Sequence, residues 1–355
     1  MSDCKNFYNN ICKEINRSDK LKDFKTIFSV KQGSEDKNVK LTEVQKFAAN
    51  FYKAPIINHK GHVTGKSKVN NTRYSEVIAD TLVSKDYIKT WLELQPLRPN
   101  HFDTGHNHSE NVDMNKLQIS NRKEEILAKL LFYQREVKDL GYIFDYQTPL
   151  KKVRSNSYGK IDLLGYNSKD KCYSIIELKY RPSGSDETIL RCVLEAYTYY
   201  KLFDLNQIES TQNHKGITEL RALKDYKHTK NAELVILFDE KSRAKDDGGE
   251  KSNLMLRIDL QNKDTANKEI YPSKTVESQQ HKECKELLDS DKRNSLRTLC
   301  DKILEQEPNL KQIRFVVLRV DSNSKKNHPE YITGWDENLD RFYRAETLLT
   351  IPRKG

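Results

Sequence analysis

The chain has 355 residues, of which 36% are hydrophobic and 32% are charged, so it has enough apolar side chains for a core and is not expected to be wholly disordered. This length suits two domains, or one domain with large insertions. The formal net charge of +10 is compatible with a polyanionic partner such as nucleic acid.

The six cysteines are widely spaced and form no Cys-x-x-Cys pair, which argues against a zinc ribbon and against a dense disulfide framework. Cys172 and Cys192 fall in apolar patterns, so we expect both to be buried. The amino-terminal stretch is polar, and no apolar run approaches the ~20 residues of a membrane helix. We therefore expect a cytoplasmic protein with no membrane partner.

Residues 1–115 are predicted to form a mainly helical accessory region that binds nucleic acid or a partner. Helical periodicity is present at 42–53 and is stronger at 74–93. The segment 54–73 contains basic residues and histidines but no acid. Lys66 and Lys68 in this segment are candidates for phosphate contact, and the alternative is a solvated loop.

Three histidines, His101, His106 and His108, lie in the polar segment 97–115. A metal site is one interpretation, because neutral imidazole is a common metal ligand. The segment lacks other strong ligand spacing, so we favour a polar loop or linker.

The next region begins with an amphipathic helix predicted at 119–140, whose apolar side includes Ile126, Leu130 and Val137. Three strands follow, at 142–153, 159–166 and 172–181. The connection between the last two is short and polar, so we expect them to form an antiparallel hairpin.

A second helix is predicted after the hairpin, with Ser185 as its N-cap and acids in its first turn. Its polar line contains Arg191, Glu195 and Tyr199, spaced at i, i+4 and i+8, opposite an apolar stripe. The remaining predictions are strands at 233–238 and 313–320, a helix near 292–306, and a polar insertion at about 241–290.

This order of elements predicts an α/β fold with a mixed sheet between helices. We assign the domain to residues 116–335, including the insertion, and treat 336–355 as a carboxyl-terminal extension. Strands that are covered on both faces should be almost wholly apolar. The charged residues within the predicted hairpin therefore need an explanation.

Alternation along the strands places Asp162 on one face of the first hairpin strand, and Glu177 with Lys179 on one face of the second. Pairing of the strands can bring the three side chains together. Two adjacent buried carboxylates repel each other and lose solvation, which a divalent cation would offset. Carboxylate oxygens are ligands that Mg²⁺ or Mn²⁺ prefers, and Lys179 could then orient a water molecule or offset charge on a phosphate.

These residues resemble the motif of the PD-(D/E)xK nuclease superfamily. Asp162 lies in the segment "GKIDLL" and Glu177 in the segment "IELK". Fourteen residues separate Asp162 from Glu177. The resemblance matches Asp162, Glu177 and Lys179 to the Asp, the acid and the lysine of the family. Ile161 stands where the motif has its proline, a position that varies within the family. The resemblance covers about 116–205.

The flanking helices also resemble this family, whose first helix often contributes a further glutamate. Glu124 and Glu125 are both available, and Glu124 lies nearer the edge of the apolar face, so we prefer it as a metal ligand. In the exonuclease-like branch, the helix after the lysine strand has a Gln-x-x-x-Tyr pattern. Here Glu195 and Tyr199 have that spacing, with Glu in place of Gln.

Arg191 or Arg181 could contact phosphate, because a guanidinium suits phosphate oxygens. We also expect Glu195, Tyr199 and Lys160 to contact nucleic acid. The resemblance implies a restriction-endonuclease-like fold and a Mg²⁺-dependent hydrolysis of phosphodiester bonds. DNA is favoured over RNA, and restriction, defence against mobile elements, transposition or repair are the settings it implies. A homodimer or a protein partner is compatible with it. The alternative is a catalytically silent nucleic-acid-binding or regulatory protein with the same fold.

Overall fold

In a computed structural model of the chain, the described residues are 2–17, 24, 41–58, 74–97, 112–113, 116, 121–150, 158–180, 187–239, 243–245, 251–253, 295–320, 332–333 and 343–354. Their α-helices are α1 (Ser2–Glu14), α2 (Glu43–Asn50), α3 (Tyr74–Ser84), α4 (Lys123–Gln134), α5 (Ile189–Leu202), α6 (Asn206–Ser210), α7 (Lys215–Arg221) and α8 (Ser295–Gln306). Short 3₁₀ helices are Phe51–Lys53, Pro55–Asn58 and Tyr87–Glu93.

The strands are β1 (Val112–Asp113), β2 (Glu136–Val137), β3 (Gly141–Pro149), β4 (Lys160–Asn167), β5 (Cys172–Lys179), β6 (Ala232–Asp239), β7 (Arg243–Lys245), β8 (Lys251–Asn253), β9 (Leu310–Val320), β10 (Ile332–Thr333) and β11 (Tyr343–Pro352). Seven of them form one sheet in the order β11-β9-β6-β5-β4-β3-β2. Strands β5, β6 and β9 run parallel, and the other neighbours in this sheet are antiparallel. The predicted α/β fold with a mixed sheet is confirmed.

The predicted hairpin is also present, as the antiparallel pair β4–β5. Its register places Leu163 opposite Ile176 and Gly165 opposite Ser174. Strands β5 and β6 are buried along their whole length, as expected for strands with a helix layer on each face. Cys172 and Cys192 are buried, which confirms that prediction.

The two faces of the sheet contribute to different hydrophobic clusters. Ile175 and Ile236 belong to the cluster that contains α5, α8 and the amino-terminal helices. Leu163, Ile176 and Leu237 belong to the cluster that contains α4. The sheet therefore lies between two layers of apolar helix surface, in agreement with a three-layer α/β architecture.

The amino-terminal helices share a core with the sheet. Trp91 donates a hydrogen bond from Nε1 to Thr198 Oγ1 of α5 at 2.9 Å, and the Leu97 N–H donates to the Leu202 carbonyl at 3.0 Å. The same hydrophobic cluster contains α1, α2, α3 and α5. The predicted boundary at 115 therefore does not separate two cores among the described residues.

The carboxyl-terminal segment corrects a second predicted boundary, because 343–352 form the edge strand β11 and pair with β9. The sheet also curls, so that β11 approaches the opposite edge. The Ala345 N–H donates to the Lys138 carbonyl at 2.8 Å, and Gln134 Nε2 donates to the Tyr343 carbonyl at 2.5 Å. The segment assigned to an extension is part of the central sheet.

Several helix ends differ from the prediction for local backbone reasons. The helix predicted at 119–140 ends at Gln134, because Arg135 adopts a positive φ of 63°, and Val137 belongs to β2 instead. The N-cap of α5 is Thr188 rather than Ser185. The helix predicted at 74–93 is interrupted at Asp86, whose φ is 57°.

Most of the predicted insertion at 241–290 lies outside the described residues, and the described part is the β7–β8 hairpin. In the part of the chain that the structure describes, no helix combines the length and the apolar character that crossing a membrane requires.

Candidate active site at the end of strand β5

The candidate site lies where β5 ends, between β4, α4 and α5. Glu177 and Lys179 lie on the same face of β5 as Ile175, which is the face packed against α5. Asp162 lies in β4 next to Leu163, the first residue of the observed β4–β5 register. Strand alternation and hairpin pairing thus bring the three side chains to one point.

Asp162 is held by two hydrogen bonds that fix its carboxylate. Its Oδ1 accepts from Gln147 Nε2 at 2.9 Å, and its Oδ2 accepts from the Leu178 N–H at 2.9 Å. Burial raises the pKa of Asp162 to about 7; Lys179 opposes this shift and Glu124 adds to it. Each carboxylate oxygen has two lone pairs, so the bound carboxylate can still accept a further ligand.

Lys179 is 5% exposed and lies among three carboxylates. Its Nζ forms an ion pair with Glu177 Oε1, and lies 3.1 Å from Glu187 Oε2 and 3.7 Å from Glu195 Oε2. Burial by itself lowers the pKa of Lys179, but the three carboxylates outweigh burial and hold this pKa well above its ordinary value. Lys179 is therefore a cation at neutral pH.

Glu177 is 2% exposed and has one unsatisfied oxygen. Its Oε1 accepts from Lys179, whereas its Oε2 is buried without a hydrogen-bond partner in the part of the chain that the structure describes. Burial raises the pKa of Glu177 well above its ordinary value, and Glu195 adds to the shift. A buried acceptor with no partner costs free energy, which a ligand at that oxygen would recover.

The charges of the cluster do not balance. Its described carboxylates are Asp162, Glu177, Glu187, Glu195 and Glu124, and its described cations are Lys179, Arg191 and Lys53. When all are ionised, five negative charges face three positive charges, an excess of two. The raised pKa values of Asp162 and Glu177 mean that protons offset part of this excess, and a divalent cation would take the place of those protons.

The residues therefore fit a hard divalent cation, because Glu177 Oε2 is an unsatisfied carboxylate oxygen in a cluster with excess negative charge. No three His, Cys, Asp or Glu side chains among the described residues form a ready-made metal site. One or two carboxylates are nevertheless enough for Mg²⁺ when phosphate and water supply the remaining oxygens. The candidate protein ligands are Asp162 and Glu177.

The structure distinguishes between the two glutamates at the start of α4. Glu124 Oε2 accepts a hydrogen bond from the Tyr180 N–H at 3.2 Å, directly after β5, and the charge of Glu124 raises the pKa of Asp162. Glu125 instead lies 3.8 Å from Arg122 on the surface. Glu124 therefore belongs to the cluster and Glu125 does not.

Helix α5 contributes the residues that surround Lys179 from the other side. Tyr199 donates a hydrogen bond to Glu195 Oε1 at 2.8 Å, and the hydroxyl of Tyr52 lies 3.3 Å from that of Tyr199. Gly159 has a φ of +97°, and a Cβ there would lie 2.5 Å from the Tyr199 hydroxyl. The predicted pair Glu195–Tyr199 is thus a hydrogen-bonded unit that adjoins Lys179.

The other predicted site residues are placed differently. Lys160 is half-buried at the start of β4, opposite Pro149 of β3. Arg181, Lys66 and Lys68 lie outside the described residues, as does the histidine segment. The structure brings Asp162, Glu177, Lys179, Glu124, Arg191, Glu195 and Tyr199 together.

Sequence reasoning missed Gln147, Glu187 and Tyr52 as members of the site. Glu187 had a signal, because it extends the polar line of α5 back by four residues. Gln147 had no sequence signal. Its φ of 50° departs from regular strand geometry, so strand alternation does not predict where its side chain points. Tyr52 reaches the site through packing of segments 147 residues apart along the chain.

The fold and the site thus define an α/β protein with a curled mixed sheet and a carboxylate–lysine cluster at the end of a central strand. Comparisons of the chain with models of protein families, with curated proteins and with solved structures find no match. The inference of a function therefore rests on the geometry and charges of this cluster.

Proposed function

We propose that the chain is a metal-dependent nuclease that hydrolyses phosphodiester bonds, with a restriction-endonuclease-like domain. The observation that supports this most directly is the buried, unsatisfied Oε2 of Glu177 beside Lys179 and Asp162. DNA is the favoured substrate over RNA, by the resemblance to PD-(D/E)xK nucleases. The net charge of +10 is compatible with either polyanion.

Asp162 and Glu177 would hold the Mg²⁺ or Mn²⁺ ion, and Glu124 lies close enough to influence Asp162. When bound, such an ion polarises a phosphoryl oxygen and activates water for attack. Gln147 and the Leu178 N–H hold the Asp162 carboxylate in place, so its orientation does not depend on the ion.

Lys179 would orient the attacking water and offset negative charge that develops on the phosphate oxygens. Its ammonium has three N–H donors, and the carboxylates around it keep it charged and fixed. Glu195 is itself held by Tyr199, so α5 positions the lysine through a second carboxylate. Preorganised charge of this kind acts without reorganisation during the reaction.

The alternative is a catalytically silent nucleic-acid-binding or regulatory protein with the same fold. Two observations favour it: Lys179 is already paired with carboxylates, and no group of three metal-ligating side chains occurs in the described ranges. Against it stands the cost of burying Glu177 Oε2 without a hydrogen-bond partner among the described residues. Cleavage assays separate the two proposals.

The test compares wild type, Lys179→Ala and Lys302→Ala on plasmid DNA, single-stranded DNA and RNA, each with and without Mg²⁺. Lys302 is the matched control, because it lies on α8 and pairs with the exposed Glu305. We expect Mg²⁺-dependent cleavage that falls by about 100-fold in Lys179→Ala, since loss of one preorganised donor has effects of this size. Lys302→Ala should cleave as wild type does.

Absence of Mg²⁺-dependent cleavage by a folded wild-type protein, with binding retained, would favour the silent alternative. Equal, metal-independent cleavage by wild type and Lys179→Ala would contradict the proposed mechanism. Thermal unfolding of each variant shows whether a loss of cleavage reflects a loss of folded protein.

A further inference from the structure

An aromatic side chain from the amino-terminal region packs beside the carboxylate–lysine cluster and next to two of its basic side chains. Tyr52 belongs to the short helix Phe51–Lys53, and its hydroxyl lies 3.3 Å from that of Tyr199 in α5. Lys53 Nζ lies 5.2 Å from the centroid of the Tyr52 ring, and Arg191 Cζ lies 5.9 Å from it. One ring thus places a lysine and an arginine beside the cluster.

The two cations come from segments that are remote in sequence, and packing places both of them beside the Tyr52 ring. Lys53 follows α2, whereas Arg191 lies in the first turns of α5. The start of α5 is joined to the neighbouring 3₁₀ helix, because Thr188 Oγ1 donates to the Ile57 carbonyl at 2.8 Å. The charge of Glu195 raises the pKa of Lys53 and that of Arg191 lowers it, so the two cations repel each other and Glu195 offsets part of that repulsion. An anion in contact with both cations would remove the rest of that cost.

Arg191 retains donors for such an anion. Its Nε and one terminal nitrogen lie 3.5 Å from Glu195 and Glu187, distances longer than the usual charge-assisted hydrogen bond. A guanidinium has five N–H donors in a planar fork that suits phosphate. The Arg191 side chain is 22% exposed, so an anion can reach it from solvent.

We infer that Lys53 and Arg191 bind a backbone phosphate of the nucleic-acid strand next to the phosphate that is cleaved. This inference rests on the proposed function, because it places the binding site for an adjacent backbone phosphate next to the site of cleavage. The amino-terminal region then contributes directly to substrate binding through Lys53, and Tyr52 holds the two cations in place. Arg191 supplies paired donors and Lys53 supplies a compact point charge.

The electrostatics of Lys53 support this assignment and provide a specific signature. Burial lowers the pKa of Lys53 to about 8; Glu195 opposes the shift and Arg191 adds to it. Glu195, Arg191 and Tyr52 are among the charged and titratable groups that face Lys53. Lys53 binds phosphate only when protonated, so affinity should fall as pH rises through about 8.

The test measures binding of fluorescein-labelled single-stranded and duplex DNA oligonucleotides to the full chain without divalent metal, over a range of salt concentrations. The variants are Lys53→Gln, Lys53→Arg and, as the matched control, Lys89→Gln. Lys89 lies in another 3₁₀ helix of the same region, is exposed and pairs with Asp86. Lys53→Arg keeps the positive charge but does not titrate near pH 8.

We expect Lys53→Gln to weaken binding by about tenfold and to lower the slope of log K against log salt by about one, as for loss of one phosphate contact. Lys53→Arg should bind as wild type does at pH 7 and should lose the decline in affinity above pH 8. Lys89→Gln should retain the slope and the pH dependence of wild type.

An unchanged salt slope in Lys53→Gln, or an equal loss of slope in Lys89→Gln, would overturn the inference. Failure of the folded wild type to bind any oligonucleotide in a salt-dependent way would overturn it as well. Because the assay requires no cleavage, its outcome is separate from that of the proposed function. Binding that depends on Lys53, without any Mg²⁺-dependent cleavage, would support the phosphate-binding site and contradict the nuclease proposal.

Discussion

Glu177 combines features that are costly in a folded protein unless they serve a ligand. Its side chain is almost fully buried, one oxygen has no partner among the described residues, and other carboxylates lie around it. Lys179 compensates only in part, because it is shared with Glu187 and Glu195. Stability and activity should therefore respond in opposite directions to the loss of this charge.

Replacing the charge at this position tests that expectation. In Glu177→Gln the free energy of unfolding should be unchanged or higher by about 1 kcal/mol, because burial already disfavours the charged form of Glu177 and Lys179 keeps two other partners. Mg²⁺-dependent cleavage should be lost, because an amide is a poor replacement for a carboxylate ligand. Urea unfolding and cleavage assays at several Mg²⁺ concentrations measure the two effects.

Glu305→Gln is the matched control for this substitution, because Glu305 is exposed on α8 and pairs with Lys302. We expect it to change neither unfolding nor cleavage. A large loss of stability in Glu177→Gln would show that Glu177 is a structural ion-pair partner of Lys179. Retained cleavage would show that Glu177 is not needed for metal binding.

Helix α5 is the element that connects the site to the amino-terminal region. Its N-cap Thr188 accepts a hydrogen bond from the Arg191 N–H at 3.2 Å, and the Thr188 N–H donates to Asn58 Oδ1 at 3.2 Å. The hydroxyl also donates to the Ile57 carbonyl. One side chain thus begins the helix and joins it to the segment that follows Lys53.

Removing the Thr188 hydroxyl should abolish both of its hydrogen bonds, the helix cap and the bond to Ile57. Thr188→Ala should lower the free energy of unfolding by about 1–2 kcal/mol, from loss of the cap and of the bond to Ile57. Thr188→Ser keeps the hydroxyl and should remain close to wild type. Thermal or urea unfolding measures the difference, and equal stability of the two variants would contradict the role of the hydroxyl.

At the scale of the whole molecule, the chain ends build the sheet and its core together. Helix α1 belongs to the hydrophobic cluster of the face that packs against α5, as do Leu348 and Ile351 of β11. Backbone and side-chain hydrogen bonds also join β11 to the region around β2. Neither end is a dispensable appendage of an independent central domain.

A substitution in β11 tests that conclusion without truncating the chain. Leu348→Ala should lower the free energy of unfolding by about 2–5 kcal/mol, because Leu348 is buried in the core. Thr350→Ala, in the same strand at an exposed position, should change it by less than about 0.5 kcal/mol. Urea unfolding measures both, and a small effect of Leu348→Ala would indicate that β11 contributes little to the core.

Local patterns predicted the centre of the site, and long-range packing determined its surroundings. Asp162, Glu177 and Lys179 follow from alternation within two strands joined by a short turn, which are relations between near neighbours in the sequence. Gln147 could not be predicted, because its φ of 50° interrupts a strand without a glycine to mark the position. Strand β11 was missed because an irregularity between Thr347 and Leu349 disturbs its alternation.

The sequence by itself determined the five central strands of the sheet, β3, β4, β5, β6 and β9, and which ionisable side chains share a face at the end of β5. Both depend on the period of the strand and on short connections, which are properties of the local backbone. Only the tertiary structure decided that Tyr52 and Lys53 join Arg191 at the site, and that 343–352 complete the sheet. Those contacts join remote segments whose proximity depends on how whole surfaces pack, and no local pattern contains that information.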